Sequence, residues 1–181
     1  MKNTTCVFIG NSECFDMDRE MLKAEIIKLI DRGVTRFLCG GLNGFDSVCA
    51  KTVRKLKKTY PHVQCILVIV TEPENNQQKF HNGWRGWVEF LLHLKFGHYI
   101  PYLTISLAWK KQLYDDVLYP EYQTRDRKKR GTARIRYMME SSAYAICYLG
   151  NTWSKAIKPY LYARTYELEI INIKDWHETD M

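Results

Sequence analysis

The sequence predicts an α/β fold in which a Rossmann-like parallel sheet is flanked by helices on both faces. Two observations carry this prediction. Short runs that are apolar throughout alternate with longer segments whose apolar residues recur at helical spacing. Strands without polar alternation are typical of a parallel sheet that is buried on both sides, because the connecting helices cover both faces.

The elements of the first half follow in a regular order. A strand over residues 4–9 precedes a helix over 17–32, which Gly33 closes. A second strand over 35–39 precedes a helix over 45–60, which Pro61 stops. A nearly all-apolar third strand occupies residues 65–70. This half therefore reads as strand, helix, strand, helix, strand.

The second half resumes the same pattern. It predicts a helix over residues 130–142, a strand over 144–149, a helix over 154–166 and a strand over 169–173. Residues 72–98 do not fit, being polar at first and then aromatic and apolar. This aromatic-rich excursion predicts a short amphipathic helix that covers one end of the core, forms a dimer contact or acts as a lid. The length of 181 residues fits a single domain over residues 1–181.

The basic charge of the chain is local. Seven cations and Asp126 together contribute +6 of the net charge of +7. The cations are Arg125, Arg127, Lys128, Lys129, Arg130, Arg134 and Arg136. A local anion-facing patch is therefore favoured over a surface made for a duplex, and a solvated basic loop is the alternative.

Cysteine and histidine spacing argue against several chemistries. The six cysteines form no CxxC pair, and the five histidines form no HExxH motif. We therefore expect no metal site, no disulfide framework and no acyl-transfer centre. Several cysteines fall inside strand-like runs, as reduced thiols do in a cytoplasmic protein. We also expect neither a secretory signal nor a membrane span, because no stretch approaches 18 uninterrupted apolar residues.

Glycines mark one edge of the predicted sheet. Gly10, Gly40, Gly41, Gly44 and Gly150 all follow predicted strands, where open parallel sheets bind their ligands. Glycine lets the backbone approach a ligand closely, and free amides at a helix start favour an anion. These residues predict a cradle for phosphate or a nucleotide, although a tight strand-to-helix turn without a ligand would need the same glycines.

Polar residues near these glycines are candidate ligand contacts. Asn11 and Asn43 offer side-chain amides, and Asp46 either accepts from ribose hydroxyls or caps the helix that follows. Thr152 and Ser154 offer hydroxyls, with an ordinary helix N-cap as the alternative for Ser154.

The next-to-last helix carries two arginines near its start. A guanidinium fork grips phosphate well, but Arg134 and Arg136 do not share a helix face. Both are candidate ligand contacts, but we expect only one of them to bind, preferably Arg134, and Arg136 could equally pair with Glu140 on the next turn. The carboxylates nearest the predicted site are Glu13 and Glu140, which are the candidates for catalysis; both also fit plain surface charges on a helix. No complete catalytic set is recognised.

Several motifs stand in order along the chain. They are Cys6-Val7-Phe8-Ile9-Gly10, Gly33-Val34-Thr35-Arg36-Phe37-Leu38-Cys39-Gly40-Gly41 with Gly44-Phe45-Asp46, Tyr114-Asp115-Asp116-Val117-Leu118-Tyr119-Pro120-Glu121, Arg134-Ile135-Arg136-Tyr137-Met138-Met139-Glu140, Ala145-Ile146-Cys147-Tyr148, and Ala163 with Ile170-Ile171-Asn172. Taken together and in this order, these motifs resemble the SLOG superfamily, a Rossmann-like group that includes DprA and the LOG enzymes, and in particular its small stand-alone bacterial YpsA-like branch.

The resemblance implies a pocket for a nucleotide-derived ligand, such as ADP-ribose, NAD or a nucleoside monophosphate, and a homo-oligomer of bacterial or phage origin. This chain departs from the family pattern at three places. Gly10-Asn11-Ser12-Glu13 lacks the basic turn of relatives, Ile135 replaces an asparagine, and Gly150-Asn151-Thr152-Trp153-Ser154-Lys155 replaces a double-glycine turn. These departures lower the expectation of LOG-type chemistry.

Three functions remain open from the sequence. The leading hypothesis is a cytoplasmic protein that binds or senses a nucleotide without full catalytic machinery. The alternatives are a phosphoribohydrolase-like enzyme that hydrolyses an N-glycosidic bond, and a module that binds single-stranded nucleic acid through the basic residues between Arg125 and Arg136.

Overall fold

The structure is a computed structural model that describes residues 2–11, 14, 16–41, 44–70, 113–120, 126–150, 154 and 156–174. These residues form six strands and four α-helices, preceded by a short 3₁₀ turn at Lys2–Thr4. In chain order the elements are β1 (Thr5–Gly10), α1 (Arg19–Asp31), β2 (Arg36–Cys39), α2 (Phe45–Leu56), β3 (Gln64–Val68), β4 (Asp116–Leu118), α3 (Arg127–Glu140), β5 (Tyr144–Tyr148), α4 (Ile157–Thr165) and β6 (Glu169–Asn172).

The six strands form one parallel sheet in the order β4-β3-β2-β1-β5-β6. The strand order reverses at β1, which pairs with β2 on one side and with β5 on the other. Such a reversal opens a crevice outside the carboxyl ends of the neighbouring strands. The edge of the sheet at which Gly10, Cys39 and Tyr148 end their strands is called the carboxyl edge below.

Helices pack on both faces of the sheet, as the sequence predicts. Side chains of α1 and α2 form one buried cluster with Cys6 and Phe8 of β1, and side chains of α3 and α4 form the other with Val7 and Ile9. Alternate residues of β1 thus enter opposite clusters, because successive side chains of a strand point to opposite faces. The Rossmann-like prediction is confirmed.

The helix ends explain how the segments are oriented. Asp18 caps α1 by accepting from the amides of Glu20 (2.9 Å) and Met21 (3.1 Å). Gly33 ends that helix with a φ of 91°, in the left-handed conformation that glycine adopts without strain. Because α3 leads into the amino end of β5, it runs antiparallel to the strands, and its first turns lie towards the carboxyl edge.

The structure corrects several predicted features, and others lie outside the described residues. Strand β4 was not predicted as a strand, and α3 begins at Arg127 rather than at residue 130. Helix α2 ends at Leu56, before residue 60 and Pro61, and α4 begins at Ile157 rather than at residue 154. The excursion at residues 72–98 lies outside the described residues, and the single-domain expectation stays a prediction. None of the helices described here combines the length and the hydropathy needed to cross a bilayer.

Candidate functional site

A cleft of about 180 Å³ opens at the carboxyl edge, between the ends of β1 and β2 and the helices α3 and α4. Its lining combines polar residues and glycines, called the mouth below, with apolar residues, called the floor and walls. The mouth residues are Gly10, Gly40, Asp46, Arg134 and Lys158. The floor and walls are formed by Val7, Phe8, Ile9, Ile135, Met138, Met139 and Pro159. Apolar walls with a few convergent polar groups are typical of small-molecule sites.

Arg134 joins α3 to the turn after β2. Its Nη1 donates a hydrogen bond of 2.6 Å to the carbonyl oxygen of Gly40. A Cβ placed on Gly40 would lie 3.4 Å from Oδ2 of Asp46 and 3.5 Å from the guanidinium carbon of Arg134. The carboxylate and the guanidinium therefore both lie beside the same backbone position, and the glycine leaves them room.

Asp46 lies in the second position of α2, because the helix begins at Phe45 with Gly44 as its N-cap. The alternative in which Asp46 itself caps the helix is therefore wrong. The side chain is buried, with 9% of its residue surface exposed. Burial and, next, the negative charge of Asp46 raise the pKa of the Cys49 thiol. A carboxylate at this position also interacts favourably with the positive end of the helix.

The turn between β2 and α2 depends on two glycines with positive φ. Gly41 has a φ of 70° and Gly44 a φ of 81°. Side chains with a Cβ rarely adopt this backbone region, so the path of the turn itself requires glycine. Neither glycine lines the cleft, and their described role is conformational.

Gly10 lines the cleft, and close packing against α2 also requires a glycine at this position. A Cβ on Gly10 would lie 2.3 Å from Cδ1 of Phe45, the first residue of α2. Phe45 is fully buried and stacks on Tyr148 at a centroid distance of 5.7 Å. The glycine therefore lets α2 start directly against the end of β1.

Asn11 ties the turn after β1 to two helices. Its carbonyl accepts from the amide of Phe45 (3.1 Å), and its side-chain Oδ1 accepts from the amide of Ala156 (3.2 Å), the N-cap of α4. The hydroxyl of Ser154 accepts from the same Ala156 amide at 3.1 Å. Ser154 is buried and lies two residues before the N-cap, so its prediction as the N-cap is wrong.

Arg136 and Glu140 lie away from the cleft. Arg136 is exposed, whereas Arg134 lines the cleft, as the predicted difference in helix face requires. Glu140 ends α3 about 9 Å further along the helix axis than Arg134. It accepts a hydrogen bond from the hydroxyl of Tyr166 at 2.8 Å and lines a separate cavity at the amino edge of the sheet. Glu140 is thus not brought to the cleft.

Other predicted residues lie outside the described part of the chain. These are Glu13, Asn43 and Thr152. Gly150 is described and lies against Lys174, whose Cε would be 2.9 Å from a Cβ on that glycine.

The residues of the cleft that sequence reasoning missed include Lys158, Met138 and Met139. Only the helical spacing of the methionines with Arg134 signalled that they share its face.

A second polar cluster occupies the carboxyl edge on the opposite face of the sheet. The hydroxyl of Tyr148 donates to Asp16, and Nζ of Lys174 donates to the same carboxylate at 2.9 Å. These two hydrogen bonds, in that order, lower the pKa of Asp16 to about 2. The cluster fastens the segment before α1 to the end of β6.

The described residues show no obvious metal chemistry. Within them, no three histidine, cysteine, aspartate or glutamate side chains lie close enough together to hold a metal ion. All six cysteines are free, and burial raises the pKa of Cys6 and Cys147 well above the usual range of a thiol.

The parallel sheet with its reversal at β1 and the cleft at its carboxyl edge place the protein among Rossmann-like α/β proteins. The sequence model described as the YspA SLOG family matches residues 3–94, which is half of the chain. The protein belongs to the SLOG family, and the resemblance seen in its motifs is confirmed.

Known proteins similar to this chain cover it to different extents. UPF0398 protein BH1768 of Halalkalibacterium halodurans is 32% identical over 74 residues, which are 40% of this chain and 39% of that protein. The X-ray structure of DNA processing protein A (DprA) from Streptococcus pneumoniae has a TM-score of 0.60 at 12% identity, with 93% of this chain and 49% of that chain covered.

A second similar structure is DNA processing protein A from Helicobacter pylori, described with its single-stranded DNA binding mode. It has a TM-score of 0.59 at 14% identity and covers 94% of this chain and 65% of that chain. At such identities the two likenesses support the fold alone. This chain spans about half to two thirds of the DprA chains and less of the curated relative.

Proposed function

We propose that the protein binds a nucleotide or a nucleotide derivative in the cleft at the carboxyl edge and acts as a binding or sensing protein. One observation carries the proposal. Gly10, Gly40, Asp46 and Arg134 belong to four separate segments of the chain and converge on this one cleft. Its place beside the reversal of strand order is where Rossmann-like sheets bind nucleotides.

The chemistry of the cleft suits the parts of a nucleotide. The cations Arg134 and Lys158 suit a phosphate, and the Asp46 carboxylate suits the hydroxyls of a ribose. The apolar floor suits a base or the carbon face of a sugar. A cleft of about 180 Å³ is smaller than the roughly 300–1,000 Å³ of sites that enclose a whole drug-sized ligand, so part of the nucleotide would lie outside it.

The described residues give less support to hydrolysis of an N-glycosidic bond. Such an enzyme needs an acid near the departing base, and Glu140 lies at the other end of α3, bonded to Tyr166. Asp46 is the one carboxylate among the described residues that line the cleft, and it lies beside the Arg134 guanidinium. We therefore favour binding over catalysis.

Thermal unfolding with a ligand panel tests this function. The panel contains ADP-ribose, NAD, cyclic nucleotides and nucleoside monophosphates. A ligand at 100 times its Kd adds about 2.7 kcal/mol to the free energy of unfolding. For a domain of this size, that is a rise in Tm of roughly 5–10 °C. If no member of the panel shifts the Tm, the proposal fails.

A glycine substitution localises the effect to the cleft. Gly40→Ala would place a methyl group in van der Waals contact with Asp46 and Arg134, within the mouth. We expect it to fold and to reduce the ligand-induced shift. Gly131→Ala is the matched control, because a Cβ there meets no atom within 4 Å and Gly131 does not line the cleft. An equal shift in both variants would place the ligand elsewhere.

A second candidate function is binding of single-stranded nucleic acid. Helix α3 begins at Arg127, and about 10 Å of helix separates that residue from Arg134. Its basic first turns therefore extend from the cleft mouth, where they would contact the phosphates of a strand that continues beyond one nucleotide. The similar protein from Helicobacter pylori is described as binding single-stranded DNA.

Salt dependence tests this second function. Fluorescence anisotropy with a labelled oligothymidine measures affinity between 50 and 200 mM salt, and the slope of log K against log salt gives about −0.7 per neutralised phosphate. Lys129→Gln removes an exposed cation of α3 and should flatten the slope by about 0.7, whereas Lys51→Gln on α2 should not. Absent or salt-insensitive binding would exclude this function.

Native mass spectrometry of the same preparations reports whether the protein forms the predicted homo-oligomer.

A further inference from the structure

The two cations at the mouth of the cleft, Arg134 and Lys158, differ in the contacts that their side chains already make within the protein. Arg134 donates to the carbonyl of Gly40 at 2.6 Å, and its guanidinium lies beside Asp46. Lys158 is exposed, and within the described part of the chain its side chain takes part in no ion pair or hydrogen bond. A ligand phosphate would therefore compete with protein contacts at Arg134, but not at Lys158.

The position of Lys158 is fixed by the start of α4. Ala156, the N-cap of α4, donates its amide to Oδ1 of Asn11 at 3.2 Å and to the hydroxyl of Ser154 at 3.1 Å. Asn11 directly follows Gly10, which lines the cleft. These bonds fasten the first turn of α4, and Lys158 with it, next to the end of β1.

Nothing in the first turn of α4 neutralises this cation. The turn contains no acidic residue, and Pro159 follows Lys158 along the wall of the cleft. The only carboxylate among the described residues that line the cleft is Asp46, which lies beside Arg134. Among the described residues that line the cleft, the ammonium of Lys158 is therefore the positive charge that no protein contact engages.

We propose that Lys158 makes the cleft selective for phosphorylated nucleotides over the corresponding nucleosides, by binding the phosphate from the first turn of α4. This inference rests on the proposed nucleotide site. Arg134 acts mainly to hold the turn after β2 in place, and Lys158 supplies the charge that distinguishes the two classes of ligand. An ammonium suits this role, because it binds phosphate as a point charge and needs no fixed orientation.

Calorimetric titration of the full chain with paired probes tests the assignment. The probes are AMP, GMP, CMP and UMP, each compared with its nucleoside at the same salt concentration. For the monophosphate that binds the wild-type protein best, Lys158→Gln should weaken binding about 10-fold, the effect of losing one charged hydrogen bond of about 1.4 kcal/mol. Binding of the matching nucleoside should not change.

Two further variants act as controls. Lys158→Arg keeps the charge and should retain the monophosphate affinity to within about 3-fold. Lys51→Gln removes an exposed lysine of α2 that does not line the cleft, and should leave both affinities unchanged.

The outcomes separate the two proposals. If a monophosphate binds the wild-type protein and the Lys158→Gln variant equally well, the role of Lys158 is refuted and the nucleotide site stands. If Lys158→Gln weakens binding of the nucleoside as much as binding of the nucleotide, Lys158 does not distinguish ligands by their phosphate, and its proposed role is refuted. If no monophosphate or nucleoside binds the wild-type protein, the role of Lys158 is refuted, and the nucleotide site is refuted as well only if ADP-ribose, NAD and the cyclic nucleotides also fail to shift the Tm.

Discussion

Replacing Gly10 with alanine should destabilise the protein through a clash with the first residue of α2. The added Cβ would lie 2.3 Å from Cδ1 and 2.4 Å from Cγ of Phe45. Carbon atoms in contact lie about 3.5–4.0 Å apart, so the ring or the strand must move by about 1 Å. The ring is fully buried between Tyr148, at 5.7 Å, and Phe8, at 6.3 Å between centroids.

The backbone of Phe45 is held as well, because its amide donates to the carbonyl of Asn11 at 3.1 Å. Overpacking of this kind typically costs about 1–3 kcal/mol, and the confinement of the ring places Gly10→Ala at the upper end. A loss of about 3 kcal/mol in the free energy of unfolding corresponds to a fall in Tm of roughly 6–12 °C for a chain of this length. Urea unfolding followed by circular dichroism measures the first quantity, and calorimetry measures the second.

Gly131→Ala is the matched control, since the same chemical change should have the opposite sign there. Gly131 lies inside α3, and a Cβ would meet no atom within 4 Å. Alanine should stabilise this helix by about 0.5–1 kcal/mol. In a double-mutant cycle, Phe45→Ala alone should cost about 3–5 kcal/mol, and adding Gly10→Ala should then cost little more. Additive losses, or a stable Gly10→Ala protein, would refute the packing argument.

Three other measurements follow from the described contacts. The hydroxyl of Tyr148 and then the ammonium of Lys174 lower the pKa of Asp16 to about 2, so the stabilisation by this carboxylate is complete above its unfolded value of about 3.9 and is lost as the pH falls through 2. The difference in urea midpoint between wild type and Asp16→Asn should therefore be present at pH 7 and vanish near pH 2; a constant difference would contradict the linkage. Of the six cysteines only Cys14 is not buried, so a thiol reagent should label at most one residue in the native protein and six after unfolding. Glu167 has a φ of 55° after the end of α4, and Glu167→Gly should raise the free energy of unfolding by about 0.5–1 kcal/mol in the same urea assay.

The sequence predicted most of the sheet because its strands are continuous apolar runs. Strand β4 was missed because it has three residues, begins with Asp116 and is only partly buried. Its pairing with β3 depends on contacts between residues far apart in the chain, including the hydrogen bond of 2.8 Å that the amide of Cys65 donates to the Asp115 carboxylate. The spacing of apolar residues within a segment carries no information about such long-range contacts.

The cleft was partly predictable for a similar reason. Parallel strands end at one edge, so residues that follow different strands had to meet there, and Gly10, Gly40 and Asp46 do so. Lys158 could not be found in this way, because a lysine in the first turn of a helix has the same pattern as a solvated surface charge. Only the packing of α4 against β1 brings it to the mouth.

The roles of the glycines show why a site cannot be read from residue type alone. Close approach of a ligand and close approach of Phe45 both require that Gly10 lack a Cβ, and Gly41 and Gly44 are required by positive φ whether or not a ligand binds. Arg134 likewise holds Gly40 in the protein itself. Loss of binding after a change at any of these positions would therefore mix lost contacts with a displaced turn. Lys158 has no such structural partner among the described residues, so a change in affinity there reports the ligand contact directly.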